Sequence, residues 1–535
     1  MRELQARLLG AATDQPGALR QLATDNSIVT AEPMAIVYPA NTADVRKTVQ
    51  FAADHISSTN PTPVIARGLG MGLSGGAVAS AIQIVLPAHM NKILKLDKRT
   101  VTVQSGVTFR TLEQTLMSHG RHIPCLPLNL DGTTIGGAVA EESPGLHAVK
   151  YGSIRQYVRG LKVVLSDGSL IETKPLTARQ LRARKGLTTL EGQIYRDIDN
   201  ILLDHEELIR AATPKLPYNN LGFALEKVRR GNMFDLSQLF IGSGGALGII
   251  TEITLSTYVY NPRTTLVVGY FSATAQALEA ASRVVKLKPS ALELADRGLL
   301  EAVSISHPGF LDGLLPNDEP TTALLVQFDN MSQLGQRVAS TRAENILKRY
   351  GATIRTARDP LEQVALWKLR SAAAQYLEPP GSNQAISFME GAVVPSAKLS
   401  ELLTKTTHLL GSHDLTAAIW GHVGDGNLNF LPRLNLSKKK DTDKLLILMR
   451  EYTKLIAKLG GTPSGTAGDG LVHGWAIADI YGDELADLMG KVKDICDPYT
   501  VFSPDHKTHA TLESLKKLLL SNYQFGHHHH QLTLH

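Results

Sequence analysis

Arg67-Gly68-Leu69-Gly70-Met71-Gly72-Leu73-Ser74-Gly75-Gly76 places five glycines in ten residues, directly after the apolar stretch Pro63-Val64-Ile65-Ala66. A strand that feeds such a loop suits an anion, because glycine admits close backbone approach and successive N–H groups then point at a phosphate. The loop is neither G-x-x-x-x-G-K-[ST] nor a G-x-G-x-x-G that opens a helix, which disfavours nucleoside-triphosphate hydrolysis. Two further runs share its character. Asp131-Gly132-Thr133-Thr134-Ile135-Gly136-Gly137-Ala138-Val139-Ala140 combines hydroxyls with adjacent glycines, and Ile241-Gly242-Ser243-Gly244-Gly245-Ala246-Leu247-Gly248-Ile249-Ile250-Thr251-Glu252 precedes an apolar alternation. Three such segments in one half of a chain can wrap a long, phosphate-bearing cofactor.

The elements around these runs follow from periodicity. Leu4, Leu8, Leu9, Leu19 and Leu22 recur at roughly helical spacing and predict a helical arm over residues 1–30. Asn41-Thr42-Ala43-Asp44 reads as a turn and helix cap, with Val45, Val49 and Ala52 on the helix face. Short strands are predicted at Ala35–Tyr38, Ile82–Leu86, Ile93–Leu96, Val101–Val103, Leu161–Leu165 and Ile249–Thr257, with a turn at Asp167-Gly168. The stretch 177–239 is polar and helical, an insertion whose apolar face is Ile194, Ile198, Leu202 and Leu203. After Asn261-Pro262 a second unit begins, with strand, helix, strand, strand, helix and strand from Thr264 to Arg355. That order is the signature of a ferredoxin-like antiparallel sheet with helices on one face. The expected division is an arm (1–30), a first domain (31–258), a second domain (259–505) and a tail (506–535) carrying a terminal helix and the histidines His527–His530.

Composition narrows the function classes. The 535 residues carry a net charge of +5 with both signs interspersed and no aromatic platform beside a basic run, so nucleic acid is not an expected partner. Two cysteines, Cys125 and Cys496, are too few for a disulfide framework, a four-thiolate zinc site or a cysteine-ligated iron–sulfur cluster. The N-terminus lacks the continuous apolar core of a signal peptide, and no stretch approaches the ~18 apolar residues of a spanning helix. The expected location is cytoplasmic. Leu515–Leu520, with Lys516 and Lys517, leaves peripheral contact at the inner face of a membrane open.

The three glycine runs, with Val149-Lys150-Tyr151-Gly152 and Leu161–Gly168 between them, resemble the two-subdomain flavin-binding domain of the vanillyl-alcohol oxidase/PCMH superfamily. The second half resembles the C-terminal, cap domain of FAD-linked oxidases such as D-lactate dehydrogenases, glycolate oxidase and D-2-hydroxyglutarate dehydrogenases. The resemblance covers about residues 30 to 520 and implies an α+β protein whose cofactor is FAD. It implies that Arg67, Gly68, Leu69, Gly70, Met71, Gly72, Leu73 and Ser74 carry the pyrophosphate. Thr134, Gly136, Gly137, Ala140, Gly152, Gly248, Ile249 and Ile250 would line the rest of the dinucleotide. Leu69 and Met71 stand where relatives usually have glycine and threonine, and Glu142-Ser143-Pro144 replaces the usual asparagine–alanine–glycine. His147 and Cys125 lie near enough in sequence to leave covalent attachment of the flavin open.

In the second half, Trp367-Lys368-Leu369-Arg370 resembles the helix whose arginine clamps the substrate carboxylate, a role suited to a planar, permanently charged, bidentate donor. Phe388-Met389-Glu390-Gly391-Ala392-Val393-Val394-Pro395 resembles a strand leading to the last helices of the cap. Gly421-His422-Val423-Gly424-Asp425-Gly426-Asn427-Leu428-Asn429 is the most specific match. Relatives carry a second histidine at Asn429 and a glutamate–histidine pair at Thr466-Ala467. There the two histidines and the glutamate hold a divalent metal, and the histidine of the pair is the proposed base. Only His422 remains here, so no metal site is expected. Threonine and alanine cannot accept a proton at neutral pH; Asp469 and His473, two and six residues beyond Ala467, are the candidate substitutes. The implied activity is oxidation of a small 2-hydroxy acid, D-lactate before glycolate or D-2-hydroxyglutarate, with electrons passed to an external quinone, cytochrome or other carrier. Oxidation of another alcohol such as a sugar, or a degenerate flavoprotein that binds without turnover, are the alternatives.

Overall fold

The computed structural model describes residues 1–56, 62–319, 321–330, 332–377 and 383–523; His527–His530 lie outside them. The first lobe begins with the strand Ala35–Tyr38, which pairs in parallel with Ile82–Val85, itself parallel to Val64–Arg67. The helix Thr42–His55 covers this sheet with Val45, Val49 and Ala52, and starts where the Asn41 side chain accepts from the N–H groups of Ala43 (2.8 Å) and Asp44 (3.2 Å). Beside it stands an antiparallel sheet in the order Ile93–Leu96, Thr100–Gln104, Ile249–Ser256, Val158–Val164 and Leu170–Thr173. Its strands alternate: Val101, Val103, Leu161, Val163, Ile253 and Leu255 face one core, into which Ile194, Ile198 and Leu202 of the insertion helix Leu190–Asp204 also pack.

The second lobe is a seven-stranded antiparallel sheet. Its strands Thr265–Phe271, Ala291–Ala295, Thr322–Phe328 and Thr353–Ala357, with the helices Thr274–Val284 and Gln333–Arg349, form the anticipated β-α-β-β-α-β unit. Helices cover both faces of it, rather than the one predicted. Val267, Phe271, Leu324 and Val326 pack with Ala277, Leu278, Ala343 and Leu347 of that helix pair, while Leu266, Val268 and Leu325 pack against the helices Arg297–Ser306 and Pro360–Leu377. The strands Thr265–Phe271 and Thr322–Phe328 are consequently buried at every residue. Ala417–Gly421, Asn429–Leu434 and Gln384–Ala385 extend the sheet.

Both ends of the chain return to the first lobe. The arm contains the helices Arg2–Arg7 and Pro16–Gln21, but Ala11–Thr13 between them is a strand antiparallel to Ala35–Tyr38. The helix Asp483–Cys496, within the stretch assigned to the cap, places Leu485, Leu488, Met489 and Val492 in the core of the five-stranded sheet. Val501 and Phe502 join the core of the parallel sheet. Lys493 fastens this return: its buried Nζ donates to Ala246 O (2.7 Å), Phe502 O (3.0 Å) and Asp497 Oδ2 (2.5 Å). Lys493→Met strips the carbonyls and Asp497 of their cation, and removing one partner of a buried pair costs about 3–5 kcal/mol. Calorimetry should show the transition of the first lobe moved to lower temperature; an unchanged thermogram would mean that Lys493 does not anchor the helix.

Candidate cofactor and substrate sites

All three glycine runs meet at one cavity of about 220 Å³. Arg67, Gly68, Leu69, Gly70, Met71, Gly72 and Ser74 line it from the first run, Thr134, Gly136, Gly137 and Ala140 from the second, and Gly248, Ile249 and Ile250 from the third. Leu73 and Gly152 are not in its wall. Gly152, at φ +72°, instead ends the short helix Ala148–Tyr151, where a Cβ would lie 2.1 Å from Gln156 Nε2.

The cavity is shaped by what glycine leaves out. Gly70 has φ +72°, and a Cβ there would meet Arg67 Nη2 at 2.3 Å. Arg67 is buried beneath the loop and donates to the carbonyls of Leu22 (3.2 Å), Thr24 (2.8 Å) and Ala77 (3.4 Å), tying the arm to both ends of the run. Burial holds its pKa below the ordinary value, with Asp25 opposing. Arg67 thus braces the loop through its two terminal nitrogens, while its buried Nε makes no hydrogen bond among the described residues. Gly136 abuts Ser105, whose Cβ would be 2.5 Å and whose carbonyl oxygen 2.8 Å from an added Cβ. Thr134 caps the helix Ile135–Glu141 by accepting from Gly137 N at 3.1 Å. Ser74 Oγ is buried in the wall near the Glu141 carboxyl without a well-formed hydrogen bond. This cradle of Cβ-free backbone with a hydroxyl that lacks a well-formed hydrogen bond fits the phosphates of a dinucleotide.

Sequence reasoning missed Asp25, Glu141, His506 and Lys507, which also line the cavity. Nothing in their spacing marks them, since Asp25 and His506-Lys507 arrive from opposite ends of the chain. Ser243, Gly244 and Gly245, within the third run, line it too, the glycines at φ +61° and +78°. Burial pushes the Glu141 carboxyl up to about 7; Asp25 and Asp469 add to the rise, and Ser74 and Lys507 oppose it. The replaced asparagine–alanine–glycine also has an account. Glu142 turns the chain at φ +50°, accepts from Ser153 Oγ at 2.9 Å and forms a buried pair with Arg155, so an ion pair holds the helix end. Cys125 and His147 are not in the cavity wall; burial pushes the Cys125 thiol up, and His147 meets Gln327 Oε1 at 2.8 Å.

Neither candidate base is free in the expected way. Asp469 lines the cavity, but its Oδ1 takes Lys507 Nζ at 2.6 Å and Gly470 N at 2.8 Å, while Oδ2 takes Gly222 N at 2.8 Å. It is the anion of a buried pair. His473 is buried outside the cavity wall, Nδ1 has no partner, and burial lowers its pKa to about 4.

Arg370 and His422 meet on a third residue that the sequence did not flag. Glu293, on the strand Ala291–Ala295, accepts from Arg370 Nε at 2.7 Å through one oxygen and from His422 Nδ1 at 2.6 Å through the other. Burial alone would raise its pKa, but His422 and Arg370 together hold it below the usual carboxylate range. The guanidinium carbon of Arg370 lies 3.9 Å from the Trp420 ring centroid, so the side chain is both paired and stacked. Where the resemblance implies metal ligands, Asn429 Oδ1 accepts from Gly391 N (2.8 Å) and Asn427 Nδ2 (3.0 Å), and Thr466 N donates to Gly391 O (3.1 Å). An amide network fills that place. Among the described residues no group of three His, Cys, Asp or Glu side chains could hold a metal ion, and no helix is long and apolar enough to cross a membrane.

Residues 33–174 match the FAD binding domain and residues 261–506 the C-terminal domain of FAD linked oxidases. The chain is 27% identical over 500 residues to a D-2-hydroxyglutarate dehydrogenase of Escherichia coli, covering 90% of this chain and 49% of that protein. It is 27% identical to glycolate oxidase subunit GlcD of Bacillus subtilis over 88% of both chains. It is also 24% identical to a D-lactate dehydrogenase of Archaeoglobus fulgidus, covering 89% of this chain and 91% of that one. The chain thus spans about half the length of the D-2-hydroxyglutarate dehydrogenases it matches. In fold it resembles substrate-bound p-cresol methylhydroxylase, with a TM-score of 0.65 at 15% identity over 96% of both chains. It also resembles alkyldihydroxyacetonephosphate synthase, with a TM-score of 0.64 at 17% identity over 94% of this chain and 85% of that one.

Two outcomes follow for cofactor binding. Gly136→Ala forces a methyl into the Ser105 backbone, so the purified variant should carry less than about a tenth of the wild-type flavin absorbance; full occupancy would remove Gly136 from the cradle. Glu141 is neutral below about 7 and anionic above it. FAD affinity, followed by flavin fluorescence, should therefore weaken as pH rises through 7, by up to about tenfold per unit, and Glu141→Gln should flatten the curve. A wild-type affinity independent of pH would place Glu141 away from the phosphates. The protein whose first domain builds this cavity and whose second carries the Arg370 cluster belongs to the FAD-linked oxidase family, and its cofactor is FAD.

Proposed function

We propose that the chain is an FAD-dependent dehydrogenase of 2-hydroxy acids, with D-lactate as substrate and pyruvate as product. The observation that carries this reading is Arg370. Its Nε is held by Glu293, while neither terminal nitrogen makes a hydrogen bond among the described residues, so a two-pronged donor remains for a carboxylate. The 2-hydroxy acids named for the relatives share that carboxylate beside the carbon to be oxidised. D-lactate is favoured over D-2-hydroxyglutarate by charge. The other ionisable groups of the cluster are His422 and the acids Glu293, Glu390 and Asp425, which leaves one permanent cation for one carboxylate.

Bound FAD supplies the two-electron acceptor. The glycine runs would hold its phosphates, Arg370 fixes the substrate by its carboxylate, and Trp420 keeps the guanidinium plane from rotating. Glu293 sets the proton of His422 on Nδ1, which fixes the tautomer of the ring. Burial of Glu293 and Arg370, at 1% and 3% exposure, keeps water from competing for the clamp. Cys125 and Cys496 are buried and unpaired, and two thiols cannot ligate an iron–sulfur cluster, so electrons pass to an external quinone, cytochrome or other carrier.

Asn429, Thr466 and Ala467 favour a second reading, an FAD-binding protein without turnover. Anaerobic addition of substrate separates the two. D-lactate should bleach the ~450 nm flavin band of the wild type. Arg370→Ala should keep its FAD yet need about a hundredfold more substrate, or fail to bleach. Persistent colour with D-lactate, glycolate and D-2-hydroxyglutarate alike would leave the non-catalytic reading standing.

A further inference from the structure

Glu390 is 4% exposed, and neither of its carboxylate oxygens makes a well-formed hydrogen bond among the described residues. Such a group is costly to bury, and a fold that keeps one uses it. Its surroundings belong to the substrate cluster. Arg370 acts on it from the helix Pro360–Leu377, and the nearby Trp420 indole Nε1 is likewise buried without a well-formed bond. Tyr523 of the C-terminal segment is the other titratable group coupled to it.

The backbone sets Glu390 beside the corner that lacks a base. Gly391, at φ +94°, donates its N–H to Asn429 Oδ1 (2.8 Å), and its carbonyl accepts from Gly465 N (2.7 Å) and Thr466 N (3.1 Å). A Cβ on Gly391 would lie 3.5 Å from Ala467 Cβ, and Gly468, the next residue, lines the FAD cavity. Thr466 and Ala467 cannot accept a proton, Asp469 is committed to Lys507, and burial lowers the His473 imidazole to about 4, which leaves it a weak base.

We infer that Glu390 is the proton acceptor for the substrate hydroxyl, an assignment that rests on the 2-hydroxy-acid reading. The hydroxyl O–H bond breaks and its proton forms an O–H bond to a Glu390 oxygen. The electron pair of the adjacent C–H bond leaves with that hydrogen to a two-electron acceptor of the flavin class, so the alcohol carbon becomes a carbonyl and the acceptor is reduced by two electrons. Burial pushes the Glu390 carboxyl up to about 8 against the pull of Arg370 and Trp420, which makes it a stronger proton acceptor than an ordinary carboxylate.

The test compares wild-type holoenzyme with Glu390→Gln and Glu390→Asp in anaerobic stopped-flow reduction by D-lactate, from about pH 6 to about pH 10. Propanoate, which has the carboxylate but no hydroxyl, reports binding through its perturbation of the flavin spectrum. Wild-type reduction should rise through about pH 8; Glu390→Gln should be slower by about 10²–10³-fold and flat with pH, while binding propanoate as wild type does. Glu390→Asp should recover part of the rate, which separates lost chemistry from lost folding. A Glu390→Gln rate and profile equal to wild type overturns the assignment, as does an equal loss of propanoate binding. Wild type that none of D-lactate, glycolate and D-2-hydroxyglutarate reduces defeats the hydroxy-acid reading and this assignment with it, whereas a silent Glu390→Gln in competent enzyme defeats only the assignment.

Discussion

The guanidinium of Arg67 is the constraint on which the cofactor half depends. A fully buried cation must find acceptors, and here they are carbonyls of Leu22, Thr24 and Ala77. Satisfying them draws the N-terminal arm over the parallel sheet and closes the glycine loop on itself. The loop can then present backbone to the cavity only where no Cβ intrudes, which explains glycine at position 70 directly above the guanidinium. Arg67, which sequence resemblance assigns to the phosphate, lines the cavity and also shapes its surface from beneath the loop.

The cap solves a related problem with a carboxylate. Glu293 holds an arginine with one oxygen and a histidine with the other, so a guanidinium and an imidazole are oriented by one anion from the middle of a buried strand. Buried charges of this kind add little net stability but are strongly directional, because any other arrangement leaves one of them unpaired. Asp425, nearby, is raised well above the ordinary aspartate value by burial and by Glu293.

Much of this organisation was legible in the residues. The glycine runs marked their own loops, and strands such as Val101–Val103 and Leu161–Leu165 declared themselves by alternation. The β-α-β-β-α-β order announced the second lobe. Periodicity did not reveal that its sheet is covered on both faces, because strands as short and apolar as Thr265–Phe271 show no alternation to read. The site in the cap was half legible: Arg370 and His422 stood in recognisable segments. Glu293 sat in an unremarkable strand, and its role exists only once pairing of Ala291–Ala295 with Ala417–Gly421 brings it to the histidine. Asp469 looked available in sequence because the lysine that occupies it comes 38 residues later.

The path of the chain has a consequence for biosynthesis. The cavity wall takes Asp25 from early in the chain and His506 and Lys507 from much later in it, and Lys507 also pairs with the Asp469 that lines the cavity. While the ribosome is still making the cap, the glycine runs have been translated but their enclosure has not. The wall of the cavity therefore cannot be complete on the nascent chain before residue 507 emerges.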